Sequence, residues 1–114
     1  MKAIKPIIVE KPWGREIWIA VEDEYVGKIL EIKKGTRTSL QYHEKKKETI
    51  YVLQGVLKVE TKTEELILHE GDAITLNPGD VHRLTAVDDL RLIETSTSQL
   101  KDVVRVEDDY GRGK

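Results

Sequence analysis

Apolar and polar positions alternate along this chain in short runs, and no window holds a helical period. The runs "EIWIAV" (16–21), "GKILEIK" (27–33), "TSLQYH" (38–43), "TIYVL" (49–53), "VLKVET" (56–61), "ELILHE" (65–70), "DAITL" (72–76), "HRLTAV" (82–87) and "LRLIETS" (90–96) follow one another, broken by Gly, Pro, Asp or Asn. From Leu30 to Lys33 the alternation puts Leu30 and Ile32 on one side and Glu31 and Lys33 on the other, as in a strand with one wet face. Turn chemistry lies in "KKG" (33–35), "QG" (54–55), "EGD" (70–72) and "NPGD" (77–80). Many short, regularly spaced strands predict an all-β sandwich or barrel. The polar tail "EDDYGRGK" (107–114) is expected to fray.

At 114 residues the chain is read as one domain, 1–114, with one core. Its 19 basic and 21 acidic residues leave no positive excess to attract nucleic acid or an anionic membrane, so neither is expected as a partner. No apolar stretch approaches membrane-spanning length, and "MKAIKPIIVEK" lacks the apolar centre of a signal peptide, so a cytoplasmic protein is expected. The absence of Phe and the abundance of Lys and Glu lean towards heat-tolerant proteins. Without cysteine, any metal must be held by nitrogen and oxygen.

Candidate chemistry collects in "QYHEKKKE" (41–48). On a strand, Gln41 and His43 face one side and Tyr42 the other. A turn through residues 44–47 lets Glu48 re-enter aimed at the same interior, with Lys45 and Lys47 in solvent. In "NPGDVHRL" (77–84), a turn at Pro78 and Gly79 delivers His82 at the start of a strand. Two imidazoles, a carboxylate and an amide oxygen suit a divalent metal, and the set itself does not choose among Zn, Fe, Mn, Ni and Cu; the ion expected is Zn, with Mn, Fe, Ni or Co as alternatives. His69 reads as an ordinary surface residue.

These spacings resemble the cupin family. Gly35, Gln41, His43, Glu48 and Gly55 fit the first cupin motif at every interval, with Gln41 where most members carry His. Gly71, Gly79 and His82 keep part of the second motif, which is broken at Asn77 and Ala86. "EKPWG" (10–14), "TSLQYH", "PGDVHRL" (78–84) and "VRVEDDYGR" (104–112) narrow the resemblance to the phosphomannose isomerase domain of the type II bifunctional enzymes that also carry a mannose-1-phosphate guanylyltransferase. Glu44, Lys45 and Thr49 stand where those enzymes usually have further histidines.

The resemblance implies a cupin-type double-stranded β-helix, a metal held by Gln41, His43, Glu48 and His82, and interconversion of mannose 6-phosphate and fructose 6-phosphate through an enediolate. It implies that Arg83 binds the phosphate or the developing oxyanion, and that Lys46 contacts phosphate or moves a proton. It further implies a homodimer, with the N-terminal "IKPIIVE" (4–10) pairing with a second chain. Trp13, Trp18, Tyr42, Tyr51 and Tyr110 could line a sugar site, although core or dimer packing is the better reading for most of them. The alternative is a metal-binding cupin of another class: another sugar-phosphate isomerase, a dioxygenase, or a non-catalytic sugar-binding module.

Overall fold

The period-two alternation of the sequence becomes alternating burial in the computed structural model, which describes residues 1–112; Gly113 and Lys114, the end of the tail expected to fray, lie outside the described residues. Among the described residues eleven strands form: β1 (Ile7–Lys11), β2 (Gly14–Val21), β3 (Val26–Ile32), β4 (Leu40–Tyr42), β5 (Glu48–Gln54), β6 (Leu57–Thr61), β7 (Glu65–Leu68), β8 (Ala73–Leu76), β9 (His82–Ala86), β10 (Leu90–Ser96) and β11 (Val104–Glu107). They build two antiparallel sheets, one in the order β1-β2-β3-β10-β5-β8 and the other β11-β4-β9-β6-β7. The all-β jelly-roll expectation holds. No helix long and apolar enough to cross a membrane is present among the described residues.

Side chains of one parity point between the sheets. Ile50 and Val52 from β5, Leu90 and Leu92 from β10, Leu30 and Ile32 from β3, and Leu57 and Val59 from β6 are all nearly inaccessible to solvent. Burying a side chain of this size contributes about 1.5–3 kcal/mol, so this layer is the main source of stability. Gly55 closes the turn between β5 and β6 with φ of +95°, and a Cβ there would lie 2.2 Å from the Asp89 carbonyl oxygen, so both conformation and space demand glycine.

Two strands were not announced by the alternating runs. β1 forms a hairpin with β2 through a tight turn at Pro12 and Trp13, in register Ile7↔Trp18 to Lys11↔Gly14. Its inner edge is thus occupied by the same chain, and only its outer edge is open to a second one. β11 pairs with β4 through Val104↔Tyr42 and Arg105↔Gln41. The tail does not fray as far as Arg112: Asp109 takes two hydrogen bonds from Arg37 (2.6 and 2.9 Å), and Asp108 takes two from Arg112 (2.9 and 3.0 Å).

The inward row of several strands turns from aliphatic to charged along its length. β5 passes from Val52 and Ile50 to Glu48, β10 from Leu92 to Glu94, β3 from Leu30 to Lys28, and β9 from Leu84 to His82; the four polar residues are as buried as their apolar neighbours. Register brings these polar ends together, with Lys28 opposite Glu94 and Gln41 opposite His82. One end of the sandwich is therefore a dry core and the other a polar cavity of about 400 Å³.

Candidate metal centre and its cavity

His43 leaves β4, Glu48 opens β5 and His82 opens β9, and their side chains converge at the polar end. Glu48 Oε1 lies 3.1 Å from His43 Nε2 and 3.7 Å from His82 Nε2. The two imidazole centroids are 5.4 Å apart, and the ligating atoms of all three residues lie within 4.8 Å of one another. Gln41, the cross-strand partner of His82, lines the same cavity, and its Oε1 accepts a 2.6 Å hydrogen bond from the buried Ser39 hydroxyl. The structure thus brings together the four residues proposed from sequence as ligands.

The loop between β4 and β5 is held from outside by Asp102, which precedes β11. Its carboxylate accepts the backbone N–H groups of Glu44, Lys45 and Lys46 at 3.1, 2.8 and 2.9 Å, and its backbone carbonyl accepts from His43 Nδ1. Gly79 of the "NPGD" turn donates its N–H to the His43 carbonyl at 2.7 Å, and the Asp80 carbonyl accepts from His82 Nδ1 at 2.9 Å.

A backbone carbonyl can only accept, so both imidazoles carry a proton on Nδ1 and turn Nε2 inward. This is the arrangement that prepares histidine for a metal. Burial opposes a second proton on His43, but the hydrogen bond and charge of Glu48 outweigh it and raise its pKa, whereas burial lowers that of His82. Burial likewise opposes the charge of Glu48, yet the His43 hydrogen bond and the Lys46 ammonium hold it well below the usual carboxylate range. A carboxylate facing two inward Nε2 atoms calls for a cation between them, either a proton or a metal. The donor set fits a divalent ion bound by nitrogen and oxygen.

Lys46, alone in its charged loop, is buried, while Glu44, Lys45 and Lys47 are exposed. Its Nζ lies 3.2 Å from Glu48 Oε2 and 3.1 Å from Glu94 Oε1. Burial, then the charge of Glu48, pushes the Glu94 carboxyl up to about 7 against the pull of Lys46. Across the cavity Lys28 pairs with Glu16 at 3.1 Å, and the Trp18 indole N–H donates to Glu16 at 2.8 Å.

Arg83 does not take the place expected of it. It follows His82 on β9, so its side chain leaves the opposite face of the sheet, where Nε donates to the Thr38 carbonyl at 3.0 Å and a terminal nitrogen to the Glu107 carbonyl at 3.3 Å. It ties β11 to the sheet and is not among the residues that line the cavity, so the structure does not bring it together with the candidate ligands. Trp13 belongs to the apolar core and, with Trp18, lines the cavity; Tyr42, Tyr51 and Tyr110 do not. His69 is exposed, as expected of a surface residue. Thr49 faces outward to Thr75 at 2.8 Å, so its departure from the usual histidine falls outside the cavity.

Glu94, Lys28, Glu16 and Arg105 also line the cavity and were not among the sequence candidates. A parity signal existed for two of them. Glu94 shares the side of Leu90 and Leu92, and Lys28 that of Leu30 and Ile32, so a charge occupies the apolar side of each strand.

Comparison with known proteins agrees with this fold. The cupin domain model matches residues 28–96. Xanthan biosynthesis protein XanB of Xanthomonas campestris pv. campestris is 33% identical over 91% of this chain and 23% of its own length. Mannose-1-phosphate guanylyltransferase ManC of Salmonella typhimurium is 31% identical over the same shares. The chain thus spans about a quarter of the length of these relatives. Among solved structures, KdgF from Halomonas sp. superposes with a TM-score of 0.76 at 21% identity, covering 82% of this chain and 88% of that one, a likeness of fold. With its first motif on the β4–β5 loop, its second on the turn before β9, and the domain model matched over more than half its length, the chain belongs to the cupin family.

Proposed function

We propose that this cupin is a metal-dependent aldose–ketose isomerase that interconverts mannose 6-phosphate and fructose 6-phosphate. The observation that carries the reading is the convergence of His43 Nε2, His82 Nε2 and Glu48 Oε1 beside the buried Lys46 and Glu94 pair, in one cavity. Its relatives' names support a mannose-phosphate substrate, since one is a mannose-1-phosphate guanylyltransferase.

The reaction moves a proton from C2 to C1 of the open-chain sugar and a hydroxyl proton from O2 to O1, through an enediolate; no co-reactant is consumed. Gln41, His43, Glu48 and His82 would hold the metal, which when bound supplies a Lewis acid for negative charge on O1 and O2. Glu94, poised near neutrality, takes the proton from C2 and returns it to C1. Lys46 keeps its ammonium between Glu48 and Glu94 and offsets the charge that develops beside them. The wall formed by Trp13, Trp18 and Leu30 gives the carbon chain an apolar side.

The reading includes a second copy of the chain on the open edge of β1, where Ile7 and Ile8 are exposed. The test of the activity is a coupled assay from mannose 6-phosphate, with elemental analysis and with and without chelator. Chelator-sensitive turnover is the expected result. Full metal loading with no turnover on this sugar would overturn the isomerase and favour a sugar-binding module.

A further inference from the structure

The wall that carries the proposed ligands continues beyond them. Arg105 on β11 stands opposite Gln41 on β4, and Gln41 opposite His82 on β9. Directly opposed residues share a sheet face, so Arg105, Gln41 and His82 form one row, with Arg105 two strand spacings, about 10 Å, from His82. Lys11 at the end of β1 and Arg112 beyond β11 line the same cavity.

The charge around this cavity is unlike that of the chain. Six cations, Lys11, Lys28, Lys46, Lys101, Arg105 and Arg112, line it against four carboxylates, although the net charge of the whole protein is −2. Lys28 is paired with Glu16, Lys46 with Glu48 and Glu94, and Arg112 with Asp108. Among the described residues neither Lys11 nor Arg105 enters an ion pair. Arg105 Nε is buried without a hydrogen-bond partner.

A guanidinium cannot shed its proton, so a buried Nε–H lacking an acceptor is a standing cost that a ligand oxygen would remove. Lys11 feels the same crowding: burial, then Arg112 and Arg105, lower its pKa despite Glu16. A tetrahedral dianion with several acceptor oxygens can accept from the unpaired Arg105 and offset the charge of Lys11, whereas a neutral hydroxyl would leave their repulsion in place.

We infer that Arg105, with Lys11 and Arg112 on the same cavity wall, forms a phosphate-monoester subsite, in one row with Gln41 and His82 and one strand along from Gln41. The sugar then lies along the Arg105, Gln41, His82 row, with its phosphate at β11 and its reacting C1 and C2 at β9. The identity of the sugar rests on the isomerase reading, but the anion subsite does not. Chain ends that are remote in sequence, β1 and β11, thus supply the grip on the anion, while the middle of the chain supplies the ligands.

The test separates the two claims by measuring binding apart from turnover. Tryptophan fluorescence or calorimetry is used with mannose 6-phosphate, mannose and inorganic phosphate, on the wild type, Arg105→Gln, Arg105→Lys, Lys11→Gln and the exposed-loop control Lys47→Gln. Arg105→Gln should weaken mannose 6-phosphate about ten- to hundredfold, the effect of one charge-assisted hydrogen-bonding group. Arg105→Lys should recover part of this, Lys11→Gln should weaken it less, and Lys47→Gln should match the wild type. Inorganic phosphate should compete in the wild type and not in Arg105→Gln, and mannose should bind the wild type no better than mannose 6-phosphate binds Arg105→Gln. Folding of each variant is checked by circular dichroism, and Arg105→Lys keeps the test decisive if Arg105→Gln fails to fold. Equal affinity of wild type and Arg105→Gln for mannose 6-phosphate, or wild-type affinity for mannose equal to that for its phosphate, overturns the subsite even if the enzyme turns over. Arg105-dependent binding without turnover sustains the subsite and overturns the isomerase.

Discussion

Two backbone carbonyls decide which nitrogen of each cavity imidazole is free: Asp102 O holds His43 Nδ1 and Asp80 O holds His82 Nδ1. Each residue therefore offers Nε2 to the point that Glu48 Oε1 also faces. Losing a ligand should cost more metal affinity than the roughly 10–100-fold typical of an outer partner. His43→Ala and His82→Ala are each expected to be purified without stoichiometric metal, while Lys47→Ala, on the exposed part of the loop, keeps it. Elemental analysis after dialysis against metal-free buffer reads this directly, and full metal content in both histidine variants would remove the site. Lys46 shows what residue identity alone leaves open: in "EKKKE" its three lysines look alike, and only the return of the chain into β5 buries the middle one between Glu48 and Glu94.

Among elements, the alternating strands were the legible part. β5 and β10 follow runs whose parity matches their burial, and the first-motif spacing placed Gln41, His43 and Glu48 because a tight loop makes their separation local. Less legible were β1, whose "IIV" is continuous and mostly exposed, and β11, whose "VRVE" gains its place from Gln41 and Tyr42 some sixty residues earlier. Glu94 and Lys28 carry a local sign, a charge on the apolar parity of their strands, but their meeting, and the arrival of Arg105 in the same cavity, depend on the long-range register. The segment after β11 is tied down chiefly by charge. The Arg112 hydrogen bonds hold the Asp108 carboxyl at about 2, below its ordinary 3.8, so the unfolded chain takes up this proton before the folded one. Its stabilising effect is present above pH 3.8 and is lost as the pH falls from there to about 2. Asp108→Asn is expected to lower the urea midpoint at pH 7 and to flatten the loss of stability between pH 4 and 2.5. An unchanged acid limb in the variant would mean that the pair does not hold the arm.

At the scale of the molecule, the six-stranded sheet ends in β1, whose outer backbone edge is open and whose Ile7 and Ile8 are 57% and 54% exposed. Ile4, just before it, is exposed as well. An apolar, unpaired edge is the kind that proteins cover, because it can otherwise template aggregation. A two-fold arrangement covers both edges with one contact and closes the assembly. The contact would also brace the strand that carries Lys11 to the cavity wall, so association and anion binding would be coupled through β1. Sedimentation equilibrium should then give twice the chain mass at micromolar concentration, and the melting temperature should rise with protein concentration, because association stabilises only the folded state. The Ile7→Lys, Ile8→Lys double variant should sediment as a monomer, keep its metal, since no ligand lies on β1, and bind mannose 6-phosphate more weakly. A wild type that sediments as a monomer across that range would remove the dimer, and would leave β2 as the one strand paired with β1 among the described residues.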